Sequence, residues 1–124
     1  MLVVVSDGPH AGLRVNGTPA PPPRDLRVGT TYRIRVADVA IYQQNLLVRL
    51  VRDSSVLTWR AVAKDGFTLP SQQATLRPSN ASVNSGETAD FEFTPETPGD
   101  LKLQFDRTGN FAFHAAMMLH VLPR

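Results

Sequence analysis

Gly86–Phe105 reads GETADFEFTPETPGDLKLQF. Ala89, Phe91 and Phe93 alternate with Asp90 and Glu92. After Pro98-Gly99, Leu101, Leu103 and Phe105 alternate with Lys102 and Gln104. Successive side chains of a strand point to opposite faces, so period-two alternation marks a half-buried strand. The stretch predicts an antiparallel hairpin at the edge of a β-sandwich, with Asp90 and Glu92 on a solvated face.

The same grammar extends in both directions. Tyr32, Ile34 and Val36 share a face opposite Arg33 and Arg35, and Leu57, Trp59, Ala61 and Ala63 share one opposite Thr58, Arg60 and Val62. Leu46–Val51 is more continuously apolar, as a central strand requires. Leu2–Val5 predicts an edge strand, Leu13–Val15 and Leu26–Val28 short strands, and Phe111–Leu122 the last strand. Turn signals separate them: Asn16-Gly17, Asp53-Ser54, Lys64-Asp65-Gly66, Asn84-Ser85-Gly86 and Arg107–Asn110. Thr18–Pro23 is a rigid extended connector, because proline fixes φ and removes a donor. Leu69–Leu76 reads as a loop with at most one short strand, and Ala37–Asn45 has room for a single helical turn. Nowhere does a 3.6-residue pattern persist for a helix. Many short strands with regular turns predict an all-β Greek-key sandwich.

The chain has 124 residues and is 42% hydrophobic. That length suits one domain, residues 1–124, able to bury a core without disulfide support. Net charge is +2, and the basic residues are scattered without interleaved aromatics. A nucleic-acid partner is therefore not expected, since phosphate binding needs concentrated positive charge. No run approaches the ~20 apolar residues of a membrane helix, so no membrane insertion is expected. The first five residues, apolar but without a basic leader, read as a strand and not as a signal peptide.

Chemistry-bearing residues are sparse. There is no cysteine, which removes thiolate nucleophiles and thiolate metal ligands. The serines lack a glycine-framed nucleophile setting, no glycine-rich phosphate loop is present, and no carboxylate pair suggests a shared cleft. Asn16-Gly17-Thr18 and Asn80-Ala81-Ser82 match the glycosylation triplet, a pattern common by chance. His10 is isolated. His114, Met118 and His120 fall on the polar face of the last strand, opposite Phe113, Ala115, Met117 and Leu119. Imidazole and thioether suit copper, especially Cu(I). Six residues of extended strand nevertheless separate the two histidines by about 20 Å, so a bend or another element is needed for them to share one metal.

Four segments together resemble the cupredoxin domains of multicopper oxidases: residues 15–36 (VNGTPAPPPRDLRVGTTYRIRV), 58–70 (TWRAVAKDGFTLP), 74–95 (ATLRPSNASVNSGETADFEFTP) and 98–105 (PGDLKLQF). The resemblance implies a cupredoxin-like sandwich, an extracytoplasmic (periplasmic or secreted) setting and copper in the parent protein. The family's blue-copper centre uses a Cys, and His-x-His pairs hold its trinuclear cluster; this chain has neither. It therefore looks like a copper-free domain of the middle-domain type, a structural module packed against neighbouring cupredoxin domains or subunits. No catalytic or cofactor-binding residue is assigned, and His114, Met118 and His120 are the weak metal candidates. Two alternatives stay open: a standalone binding or adhesion sandwich, and a His/Met copper-binding domain. The expected core is Tyr32, Ile34, Val36, Val48, Leu50, Leu57, Trp59, Phe91, Phe93, Leu101, Leu103, Phe105, Phe113, Met117 and Leu119.

Overall fold

Alternation alone does not say which strands pair, and here the pairing departs from the expected hairpin. The computed structural model describes residues 1–8, 12–40, 45–107 and 113–124, the last stretch without the Phe113 side chain. His10, Phe111, the Phe113 side chain, most of the Arg107–Asn110 turn and the centre of Ala37–Asn45 lie outside the described residues.

Thirteen strands are described: β1 Leu2–Asp7, β2 Leu13–Val15, β3 Arg24–Arg27, β4 Tyr32–Asp38, β5 Leu46–Arg52, β6 Ser55–Val56, β7 Thr58–Lys64, β8 Phe67–Thr68, β9 Leu76–Pro78, β10 Asn80–Val83, β11 Thr88–Phe93, β12 Gly99–Arg107 and β13 Phe113–Leu122. One sheet runs β2-β1-β4-β11-β7-β8, with β9 also on β7. The other runs β10-β5-β12-β13-β3, with β6 on β5. Both are mixed, because β1 pairs with β4 and β13 with β3 in parallel. The inward rows of both sheets meet in one hydrophobic core.

β11 and β12 are therefore not a hairpin. β11 lies between β4 and β7 in the first sheet, and β12 between β5 and β13 in the second. Thr94–Pro98 carries the chain across the core, so the two apolar rows face each other from opposite layers. Arg52 holds this crossing: its Nη1 donates to the Pro98 carbonyl at 2.9 Å and its Nη2 to the Thr97 carbonyl at 3.0 Å. Gly99 follows at φ 131°, a conformation other residues avoid, and a Cβ there would collide with the Arg52 guanidinium. β1 is likewise internal and not an edge, since β2 and β4 flank it.

The expected core holds at most positions. Tyr32 and Leu57 are the exceptions, each half-buried against its margin. Tyr32 spends its hydroxyl on the margin, accepting the Arg27 N–H at 2.7 Å. Leu57 sits where the chain leaves β6 for β7 and changes sheet. At the next such change, Ser79 is buried and bridges β5: its Oγ donates to the Leu50 carbonyl at 2.8 Å and accepts the Leu50 N–H at 3.0 Å. At Asn16-Gly17 and Asp65-Gly66 both central residues have positive φ, as the dipeptides predict for two-residue turns.

Candidate functional site

The metal candidates lie on the outer face of the second sheet. Register places His114 opposite Asp106, Met118 opposite Lys102 and His120 opposite Asp100. The His114 Nδ1 and Asp106 Oδ1 are 2.7 Å apart, and Arg49 donates to the other Asp106 oxygen at 2.9 Å. The His120 Nδ1 and Asp100 Oδ1 are also 2.7 Å apart. A carboxylate only accepts, so each Nδ1 carries a proton toward its aspartate. Burial pushes the Asp106 carboxyl up, but hydrogen bonds from His114 and Arg49 and their charges outweigh it, leaving it below the usual value.

Such Asp–His pairs are how proteins orient imidazole ligands. Convergence is what this face lacks. Only Met118 and His120 are neighbours on it, about 6.6 Å apart along the strand, while His114 stands at the other end. Lys102, opposite Met118 in the register, brings no electron-pair donor to that stretch while protonated. Among the described residues no three His, Cys, Asp or Glu side chains come together. The donors on this face therefore do not fit a blue-copper centre, which also needs the thiolate this chain lacks.

Two charge clusters escape sequence reading. Asp90, expected in solvent, has a side chain only 1% exposed. Arg35 opposite it donates from Nε and Nη2 at 3.0–3.1 Å, and Arg33 from Nε at 2.8 Å. Burial raises the Asp90 carboxyl, yet the hydrogen bonds and charges of the two arginines win and hold it below its usual value. Asp90 thus adds stability above the ordinary carboxylate pKa of about 3.9, lost as pH falls through that value toward the lower folded pKa. In urea titrations from neutral to strongly acid pH, Asp90→Asn should flatten the acid loss of stability. An unchanged acid slope would sink this assignment. Both arginines are half exposed, so screening keeps the effect modest.

The second cluster closes one end of the core. Arg107 continues the inward row of Leu101, Leu103 and Phe105, Asp38 that of Ile34 and Val36, and Asp7 that of Val3 and Val5. Arg107 Nη2 lies 2.9 Å from Asp7 Oδ1. Asp38 is buried and its Oδ1 accepts the Ala40 N–H at 2.9 Å. Burial pushes the Asp38 carboxyl above its usual value, against the lowering influence of that hydrogen bond and of Arg107.

No family model and no curated protein matches the chain. Solved structures do. A multicopper oxidase matches at TM-score 0.75 and 17% identity, over 98% of this chain and 43% of its own. The multicopper oxidase of the hyperthermophile Aquifex aeolicus matches at TM-score 0.76 and 16% identity, over 99% of this chain and 31% of its own. The blue copper oxidase of Nitrosomonas europaea matches at TM-score 0.68 and 14% identity, over 97% and 42%. The chain thus spans less than half the length of these structures. Its fold is that of a cupredoxin-like domain as found in multicopper oxidases.

Proposed function

We propose that residues 1–124 form one domain that serves a multicopper oxidase-like protein as a non-catalytic packing module, outside the cytoplasm and against neighbouring cupredoxin domains or subunits. One observation carries the reading: a sandwich of this fold accounts for 43% and 31% of the oxidases it resembles, the share of one domain among several. The missing thiolate and the divergent His114 and His120 support it, and copper in the parent protein would be held by flanking segments.

The surface offers a contact. Phe67 is 78% exposed and Leu76 64%, and both pair beside the outer face of β7, opposite Lys64 and Arg60. Aromatic and aliphatic side chains left in water at a strand edge suit burial by an adjoining domain. Expression of the parent reading frame beside the isolated chain tests this. The copper-loaded parent should oxidise phenolic substrates and the isolated chain should not. Phe67→Ser with Leu76→Ser should lower the parent's thermal midpoint while changing the isolated chain by only about 0.5 kcal/mol. Oxidation by the copper-loaded isolated chain, or a parent without flanking copper-ligand segments, would end the proposal.

A further inference from the structure

The two sheets part on one side of the sandwich and leave a cavity of about 600 Å³. That volume lies within the ~300–1,000 Å³ of small-molecule sites. Alanine makes the space: Ala61 and Ala63 of β7, Ala89 of β11 and Ala81 of β10 line it where larger side chains would fill it. Trp59 and Phe91 complete the wall, stacked with centroids 4.0 Å apart and planes at 13°. Trp59 is buried, and its Nε1–H finds no acceptor among the described residues.

The rim is polar and one-signed. Lys64, Gln72, Gln73, Arg77, Asn80 and Ser82 contribute, and among the described residues no carboxylate lines the cavity. Lys64 is answered by Glu87 at 3.4 Å. Arg77 is answered only by neutral oxygens, the Gln73 carbonyl at 2.6 Å and the Thr75 hydroxyl at 3.0 Å. No carboxylate among the described residues pairs with it. A guanidinium without a counter-charge beside an aromatic, acid-free cavity is complementary to one kind of molecule.

We propose that this cavity binds a planar aromatic anion, its ring over the alanine-lined opening beside Trp59 and its carboxylate or sulfonate on Arg77. The site is independent of the packing role and would persist in the isolated chain. It is also distinct from the His114–His120 face, which lies outside the second sheet.

Trp59 is the only tryptophan and reports directly on the cavity. The probes are 8-anilinonaphthalene-1-sulfonate and its neutral relative N-phenyl-1-naphthylamine, titrated with the full chain by Trp59 quenching and calorimetry. The sulfonate should bind one per chain and more tightly than the neutral dye. Arg77→Gln should weaken the sulfonate about tenfold, the value of one charged hydrogen bond, and leave the neutral dye unchanged. Ala81→Leu, at a half-buried wall position, should weaken both; Leu69→Phe does the same should the first fail to fold. Equal affinity for the two dyes, no response to Arg77→Gln, several dyes per chain, or a self-associated chain that excludes both dyes would overturn the proposal.

Discussion

Arg107→Leu should lower the unfolding free energy by about 3–5 kcal/mol, the cost of breaking a buried ion pair from one side. The Arg107 side chain is 2% exposed, and its Nη2 lies 2.9 Å from Asp7 Oδ1 at the closed end of the core. Leucine keeps the apolar stem but removes the cation that pairs with Asp7 and lowers the Asp38 carboxyl. The desolvation that already raises Asp38 would then act without the opposing charge of Arg107. A carboxyl with a raised folded pKa binds its proton more tightly in the folded state. The stability tied to it is therefore present below the ordinary value and lost as pH climbs through the raised one. The deficit of Arg107→Leu should accordingly be largest at neutral pH and shrink in acid. Adding Asp7→Asn and Asp38→Asn should recover part of it, because the penalty belongs to inward carboxylates that have lost a cation and not to lost volume. Urea denaturation of the wild type, Arg107→Leu and the triple variant measures each step. A loss below about 1 kcal/mol, ordinary for a surface change, would show that the cluster is hydrated and not buried.

The same cluster shows what the sequence could and could not disclose. Arg107 lies in phase with Leu101, Leu103 and Phe105, and Asp38 in phase with Ile34 and Val36. The alternation thus points both rows inward, but a charged residue at the end of a row reads as the row's end. Whether it turns out to water or stays inside depends on the opposing layer supplying a counter-charge, and for Arg107 the paired carboxylate, Asp7, is 100 residues away. Asp90 misleads in the opposite sense. It was read correctly onto the outer face, and it is buried there because Arg33 and Arg35 close over it from the neighbouring strand.

Gly86–Phe105 presents the same limit at the level of topology. Two apolar rows joined by a short proline-rich link fit a hairpin within one sheet and a crossing between two sheets equally well, since both point Phe91 and Leu103 at the core. The difference lies in hydrogen-bond partners, and the decisive ones, β4, β7, β5 and β13, are distant in sequence. Likewise the outward row of His114, Met118 and His120 was legible from periodicity, whereas Asp106 and Asp100 became their partners only through the β12–β13 register. The cavity was hidden for a further reason. Ala61, Ala63, Ala81 and Ala89 are unremarkable one by one, and a void exists only when small side chains from different strands face each other.

Phe105→Ala offers the sharpest discrimination between the crossing and an edge hairpin, and should lower the unfolding free energy by about 3–5 kcal/mol. In an edge strand the ring would be open to solvent on one side and its loss correspondingly cheap. In the structure Phe105 is 0% exposed, on a strand flanked on both sides, in register with Val48 of β5 and Ala115 of β13. Ala115, directly opposite on β13, is too small to fill the space, so truncation should leave a cavity and not a collapsed wall. Against a typical domain stability of about 5–15 kcal/mol, such a loss removes a large share of what holds the chain folded. The urea midpoint should fall with the slope of the transition unchanged, because the surface exposed on unfolding is nearly the same. Phe67→Ala is the internal control: an equally large deletion from a ring 78% exposed should change the isolated chain by only about 0.5 kcal/mol. Comparable losses for the two variants would contradict the placement of β12 at the centre of its sheet, and with it the crossing from β11 that sets the layers of the sandwich.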